Sequence, residues 1–159
     1  MKPDMQQFRM RRADNLAFLH LTDRADITVD RLPSREPGTD FRVTLLENGV
    51  PTEKSFCVLF KGIPGSVEHP GDLNRLVKRD GRGVSAADQS LPLCLFAFTM
   101  ADDRGYYAWL DEPDASARNG LRKRKAGDLC WRVLDENGMA EIVAAVNAWY
   151  DAQRRAQAA

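Results

Sequence analysis

Apolar residues along the chain follow two spacings, one typical of helices and the other typical of strands. Residues 5–21 and 139–155 repeat apolar positions every three or four residues, which predicts a helix at each end. Shorter apolar runs between them are bounded by Gly, Pro, Asn or Asp and predict strands. The predicted strands cover residues 27–32, 41–46, 55–60, 91–100 and 106–110, and a short basic helix covers 73–79. This order predicts a single α/β domain over residues 1–159, with helices around a mixed β-sheet.

The two terminal helices are each predicted to bury one face. Residues 16–21 are apolar nearly all round the helix, so a strand remains possible there. The broad face predicted for the first helix contains Phe8, Ala13, Leu16, Ala17 and Leu19. The stripe predicted for the last helix contains Ile142, Val143, Val146, Trp149 and Tyr150.

Residues 38–63 predict a β-hairpin that carries the candidate chemistry. Its turn is centred on Asn48 and Gly49, the dipeptide with the strongest preference for a tight hairpin turn. Asp40 lies at the start of the first strand and Lys61 at the end of the second, so antiparallel pairing brings them together away from the turn. A divalent cation held by such an Asp could polarise a phosphate while the Lys orients or activates water.

Alternation along a strand decides which side chains of the hairpin share a face. On the first strand, Asp40 is grouped with Arg42 and Thr44. On the second strand, one face carries Cys57, Leu59 and Lys61. The other face carries Phe56, Val58 and Phe60.

Composition narrows the class of protein without identifying it. The 23 basic and 23 acidic side chains balance, so any contact with nucleic acid must come from a local patch. The three cysteines form no Cys-x-x-Cys pair; Cys57 and Cys94 lie in strand-like runs and are predicted to be buried thiols. The longest apolar run, residues 91–98, is too short to cross a bilayer, and the N-terminus lacks the apolar core of a signal peptide. We therefore expect a soluble, cytoplasmic protein with no membrane contact.

The ordered motifs of the chain resemble a known bacterial family. They are Gly-x-Asp before a strand, a second strand ending in Lys61-Gly62, a strand that begins Leu91-Pro92-Leu93, and the segment Tyr-Tyr-Ala-Trp-Leu at 106–110. Together they are similar to a domain-of-unknown-function family within the restriction-endonuclease-like PD-(D/E)xK superfamily. The resemblance covers roughly residues 10–112. It implies a restriction-endonuclease-like mixed β-sheet core flanked by helices.

The resemblance also implies a metal-dependent nuclease site. Asp40 matches the metal-binding Asp and Lys61 the catalytic Lys, with Mg²⁺ or Mn²⁺ as the cofactor. Leu59 matches the position of a Gln or Glu and cannot bind a metal ion, so the site is degenerate. The implied partners are nucleic acid, with DNA the expected form, and either partner subunits or further copies of the chain. The implied setting is a bacterial defence or mobile-element system.

Other carboxylates could complete the site, and the sequence does not choose among them. Asp14 is a loose candidate on the first helix, whereas Glu53 lies near the turn, at the wrong end of the hairpin. Glu36 and Asp88 are freer to reach Asp40 and Lys61.

A basic run follows the last predicted strand and is read as a loop. Its residues are Arg118, Arg122, Lys123, Arg124 and Lys125. They could hold a phosphate backbone through contacts that carry no sequence preference. A solvated loop whose charge is balanced by the acidic residues 111–114 is a comparable interpretation. The rival function is a protein-interaction or scaffold subunit that keeps the nuclease fold without catalysis.

Overall fold

The structure, a computed structural model, describes residues 3–32, 41–79, 90–116 and 120–158. Within these ranges the chain forms one mixed β-sheet with helices on both faces. The helices are α1 (Pro3–Thr22), α2 (Leu73–Arg79) and α3 (Glu136–Ala158). The strands are β1 (Ile27–Arg31), β2 (Phe41–Glu47), β3 (Val50–Ile63), β4 (Leu93–Thr99), β5 (Arg104–Pro113), β6 (Leu121–Lys123) and β7 (Arg132–Val133). The α/β class with a mixed sheet is therefore confirmed.

The sheet follows the order β1-β2-β3-β4-β5-β6, and β7 also pairs with β5. Strands β1, β2 and β3 are antiparallel neighbours, whereas β4 runs parallel to β3. A parallel neighbour needs a crossover connection, and α2 lies on that crossover. The remaining pairs, β4 with β5 and β5 with β6, are antiparallel.

The predicted hairpin is confirmed, together with its turn. Asn48 and Gly49 have φ angles of 53° and 77°, the left-handed values that a tight two-residue hairpin turn requires at both central positions. Glu47 pairs with Val50 directly across this turn. Strand β3 is longer than the sequence predicts because it begins at the turn and continues through Ile63.

The core is divided between the two faces of the sheet. The first face is covered by α1 and α3, and its buried members include Ala17, Phe56, Val58 and Ile142. The second face carries a separate cluster formed by the sheet with α2 and the segment after β6. The members of the second cluster include Cys57, Leu73, Leu95, Ala97, Val77 and Trp131. The alternation predicted for the second hairpin strand is thus confirmed.

The buried face of α1 is narrower than predicted. Ala13, Ala17 and Leu21 are fully buried, at the four-residue spacing of one helix face. Phe8 and Leu19, predicted to share this face, are 57% and 63% exposed. The prediction was wrong for these two, since at about 100° per residue Leu19 lies roughly 200° round the helix from Ala17.

The C-terminal helix buries the stripe that its spacing predicts. Ile142 and Val146 are fully buried and Trp149 nearly so. The helix begins where the Asp135 carboxylate accepts a hydrogen bond from the Gly138 amide at 2.7 Å. A side-chain oxygen at this position satisfies an amide that has no partner within the helix. No helix in the described part of the chain is long and apolar enough to cross a membrane.

The region after β5 is where sequence patterning missed most. The basic run is not simply a loop, because Leu121–Lys123 forms β6 along the outer edge of β5. Arg132–Val133 forms β7, also against β5. Both strands are two or three residues long and mostly exposed, so neither carries an apolar alternation that could reveal it.

Candidate functional site

Lys61 lies within the paired part of β3 rather than beyond its end. Its Cα partner on the parallel strand β4 is Ala97. Its Nζ is withdrawn from solvent, although the residue as a whole is only half-buried. Removing an ammonium group from water is costly unless its surroundings compensate the charge. Lys61 is therefore not a solvated lysine at the end of a strand.

The sheet packs tightly beside Lys61. A Cβ atom added to Gly62 would lie 2.8 Å from the carbonyl oxygen of Arg9 on α1. Any side chain at this position would force the helix away from β3. Lys61 thus has an amine shielded from solvent, and the next residue, Gly62, allows α1 to approach the strand closely.

Leu59 occupies the face of β3 predicted for the metal ligand. It is partly buried and packs against the apolar cluster on the second face of the sheet. Its side chain has no oxygen or nitrogen, so this position cannot bind a metal ion. The position is filled by core packing instead.

Asp40 lies outside the described residues. The residue after it, Phe41, begins β2 and pairs with Val58, the residue before Leu59. Glu36 and Asp88 also lie outside the described residues, so the structure does not choose between them.

The two remaining carboxylate candidates form ion pairs elsewhere. Asp14 accepts hydrogen bonds at 2.5 and 2.6 Å from Arg31, whose guanidinium lies 4.7 Å from the ring centroid of Phe18. Phe18 packs against the core between α1 and the sheet, so Asp14 lies on the side opposite Leu59. Glu53 pairs with Arg154 of α3 at 3.1 Å.

No group of three or more His, Cys, Asp or Glu residues is arranged to hold a metal ion in residues 3–32, 41–79, 90–116 and 120–158. The predicted ligand Asp40 is outside those ranges, as are Glu36 and Asp88.

The basic run is largely paired with the acidic end of β5. Arg122 bonds Asp114 at 3.1 Å, and Arg124 bonds Glu112 through two nitrogens at 2.9 and 2.6 Å. The side chains of Lys123 and Lys125 are exposed, and Arg118 lies outside the described residues. The arginines of this run are thus held by carboxylates rather than presented alone to solvent.

Asp111 is a buried carboxylate that lies just beyond the strand predicted over residues 106–110. It lies in β5, opposite Lys123 on one side and Leu93 on the other. It is only 3% exposed, and its Oδ2 has no hydrogen-bond partner among the described residues. Burial raises the pKa of this carboxyl group, while attraction to Lys123 opposes that shift. Asp111 directly follows the apolar residues 106–110, and this was the one sign in the sequence that the strand continues beyond residue 110.

A polar cavity of about 430 Å³ lies between α3 and the turn end of the hairpin. Lys54, which is 8% exposed, donates hydrogen bonds there to Asn147 at 2.5 Å and Asp151 at 2.9 Å. This contact with Lys54 lowers the pKa of Asp151. Arg154, which also lines the cavity, pairs with Glu53, so the lysine and the arginine of this cavity are both held by carboxylates.

Cysteine, histidine and tryptophan can act as ligands or stacking groups, but five residues of these types pack within the protein. Cys57 and Cys94 are both buried, as predicted. His20 is half-buried against Phe98, with ring centroids 5.8 Å apart, and burial lowers its pKa. Trp131 and Trp149 are buried, in line with a packing role.

Comparisons of the chain with protein-family models, with curated proteins and with solved structures found no match in any of the three searches. Functional inference therefore depends on the residues of the chain and on the resemblance carried by its motifs.

Proposed function

We propose that the chain is a nuclease-like domain that binds nucleic acid and has weak or no hydrolytic activity. One observation carries this proposal: β3 has both a lysine at the position of the catalytic Lys, with its Nζ shielded from solvent, and an apolar residue, Leu59, at the position of the metal ligand. The resemblance gives Lys61 a catalytic role, which explains an amine kept out of water at this position. The same resemblance requires an oxygen ligand where Leu59 stands. A bacterial defence or mobile-element setting follows from the resemblance.

The strand pairing of the hairpin supports the proposal. Phe41, which follows Asp40 in sequence, pairs with Val58, and Lys61 is three residues further along β3. At about 3.3 Å per residue, Lys61 and Val58 are separated by roughly 10 Å along the strand. This spacing keeps Lys61 and Phe41, at the start of β2, in the same region of the sheet, as a site shared by the two strands requires.

The exposed lysines of the basic run supply further phosphate contacts in this proposal. Lys123 lies directly across the sheet from Cys57. Cys57 pairs with Leu93, Leu93 with Asp111, and Asp111 with Lys123. With strands about 4.8 Å apart and residues about 3.3 Å apart, Lys123 and Lys61 are separated by roughly 20 Å. At about 3.4 Å per base pair, a duplex of about six base pairs spans this distance.

Cleavage assays test the hydrolytic part of the proposal. We expect little or no cleavage of plasmid or oligonucleotide DNA by the parent protein with Mg²⁺ or Mn²⁺. Leu59→Glu should raise cleavage, because it restores an oxygen ligand on the face of β3 shared with Lys61. The increase should disappear when Leu59→Glu is combined with Asp40→Ala or Lys61→Met; the second change keeps an unbranched side chain only one atom shorter and removes its charge.

The matched control for the added oxygen ligand is Leu59→Met, which is close in size to Leu and has no oxygen. Brisk cleavage by the parent that survives Asp40→Ala would show that the chemistry lies elsewhere. No gain in cleavage by a folded Leu59→Glu variant would contradict the assignment of this position.

A scaffold or protein-interaction role is the second candidate, and one observation favours it. Arg122 and Arg124 are neutralised by Asp114 and Glu112, which lowers the positive charge that β6 presents. DNA binding that persists in the Asp40→Ala variant without cleavage would favour a binding module. A parent protein that binds no nucleic acid would favour the scaffold.

A further inference from the structure

We propose that Arg42 is a primary phosphate contact of this domain, on the open face of β1 and β2. This inference rests on the nucleic-acid binding proposed above and specifies where the backbone lies. It moves the main ionic contact from the arginines of the basic run to the hairpin that carries Lys61.

The first argument is the orientation of Arg42. Its neighbours Phe41 and Val43 point into the core beneath α1 and α3, so Arg42 points to the opposite face of the sheet. This is the face of β3 on which Cys57, Leu59 and Lys61 lie. Arg42 is exposed there and pairs with Cys57, one residue from the end of the pairing between β2 and β3 that lies away from the turn.

The second argument is the state of its charge. None of the ion pairs formed among the described residues includes Arg42. Its guanidinium makes one long hydrogen bond, from Nη2 to the Ser55 hydroxyl at 3.4 Å. A phosphate arriving at Arg42 displaces at most this weak neutral contact. At Arg124 it must compete with the Glu112 carboxylate, bonded at 2.6 Å.

The third argument is what surrounds Arg42 on its face. Arg42 on β2 pairs with Asp30 on β1. Two residues further along, Thr44 pairs with Thr28, so the two threonines lie on the same face as Arg42. Their hydroxyl groups are suitable donors to phosphate oxygens, which contact neutral side chains as well as basic ones. Asp30 is the unfavourable neighbour, because its carboxylate repels an approaching phosphate.

The fourth argument identifies the part of the nucleic acid that is bound. The aromatic residues of the hairpin, Phe41, Phe56 and Phe60, belong to the core on the opposite face. The described part of the hairpin therefore presents no aromatic ring on the Arg42 face, and Tyr106 and Trp131, which belong to the cluster on that face, are buried. Contacts from Arg42 and the threonines favour the backbone of a duplex without sequence preference, rather than a stacked single strand.

The experiment is a fluorescence-anisotropy titration of a labelled 20-base-pair DNA duplex at several salt concentrations. Arg42→Ala should weaken binding by about three- to tenfold and reduce the log–log salt slope by about 0.9. Arg42→Lys should keep most of the affinity and the slope, because it preserves the charge. Asp30→Asn should strengthen binding, since it removes the opposing carboxylate.

The matched control is Arg11→Ala, which removes the same charge from an exposed position on α1, the helix on the other side of the sheet. Circular dichroism checks that each variant is folded. Equal losses in Arg42→Ala and Arg11→Ala would overturn the inference, as would a loss in Arg42→Lys as large as in Arg42→Ala. Duplex binding by the parent that is unchanged in Arg42→Ala would overturn this inference alone. A parent that does not bind the duplex would overturn the proposed function as well.

Discussion

A methyl group added at Gly120 is expected to disrupt the contact between the start of β6 and α3. Gly120 has a φ angle of 52° and is buried against Trp149. A Cβ atom at this position would lie 2.0 Å from Trp149 Nε1 and 2.6 Å from Gln153 Nε2. The end of Gln153 can move, but the indole is only 7% exposed and packs edge-to-face on Tyr150 at 4.7 Å. Relief of the clash therefore requires a shift of α3 or of the chain that enters β6.

The magnitude follows from two separate costs. An alanine held at a left-handed φ loses about 1–2 kcal/mol relative to glycine, and overpacking a well-filled site costs about 1–3 kcal/mol. Gly120→Ala should thus lower the free energy of unfolding by about 2–5 kcal/mol. Gly49→Ala is the matched control, because its φ is 77° and a Cβ there would meet nothing within 4 Å. It should lose only the backbone part, about 1–2 kcal/mol.

The assay is urea unfolding followed by far-UV circular dichroism, since Trp149 would itself change a fluorescence signal. A double-mutant cycle with Trp149→Ala isolates the contact. Trp149→Ala alone should lower the free energy of unfolding by about 3–5 kcal/mol. The double variant should be less destabilised than the sum of the two single variants by about 1–3 kcal/mol. Equal losses in Gly120→Ala and Gly49→Ala, or strict additivity in the cycle, would refute the packing of Trp149 against Gly120.

Two further changes test burial on opposite sides of the molecule. Leu21→Ala should cost about 2–5 kcal/mol in urea unfolding because Leu21 is fully buried, whereas Leu19→Ala on the exposed face of α1 should stay within about 0.5 kcal/mol of the parent; similar losses in the two variants would mean that the buried face is wrongly assigned. Asp111→Asn should stabilise the protein increasingly as pH rises from 3 to 7, because burial raises the carboxyl pKa in the folded state, so that the parent loses stability as pH rises through that pKa. Unfolding measured across this range would contradict the second prediction if the difference between variant and parent were constant or became smaller at higher pH.

The sequence predicted the elements whose periodicity or turn chemistry is strong. The Asn48-Gly49 turn sets the pairing of β2 with β3, and the stripe of α3 is apolar at regular helical spacing. The bounds of α2 agree at both ends, because a Gly- and Pro-rich loop precedes it and Asp80-Gly81 follows it. These features depend on local interactions, which a single sequence records directly.

The remaining features depend on contacts between distant parts of the chain. Strand β6 forms because its backbone pairs with β5, and its arginines meet the carboxylates of Glu112 and Asp114. The burial of Asp111 depends on the same pairing, and a charged side chain gives no local sign of burial. At the candidate site, the apolar identity of Leu59 was visible from the sequence. The withdrawal of the Lys61 amine from solvent required the packed sheet.

The most direct test of the proposed function is a titration of a labelled 20-base-pair duplex with the parent protein in low salt containing EDTA. Chelation removes divalent metal and separates binding from cleavage. Our account predicts saturable binding that weakens as salt increases, with a dissociation constant tighter than about 100 μM, since non-specific DNA binders reach about 1–100 μM even at physiological salt. No change in anisotropy at up to about 100 μM protein would contradict nucleic-acid binding and leave the scaffold role as the better interpretation.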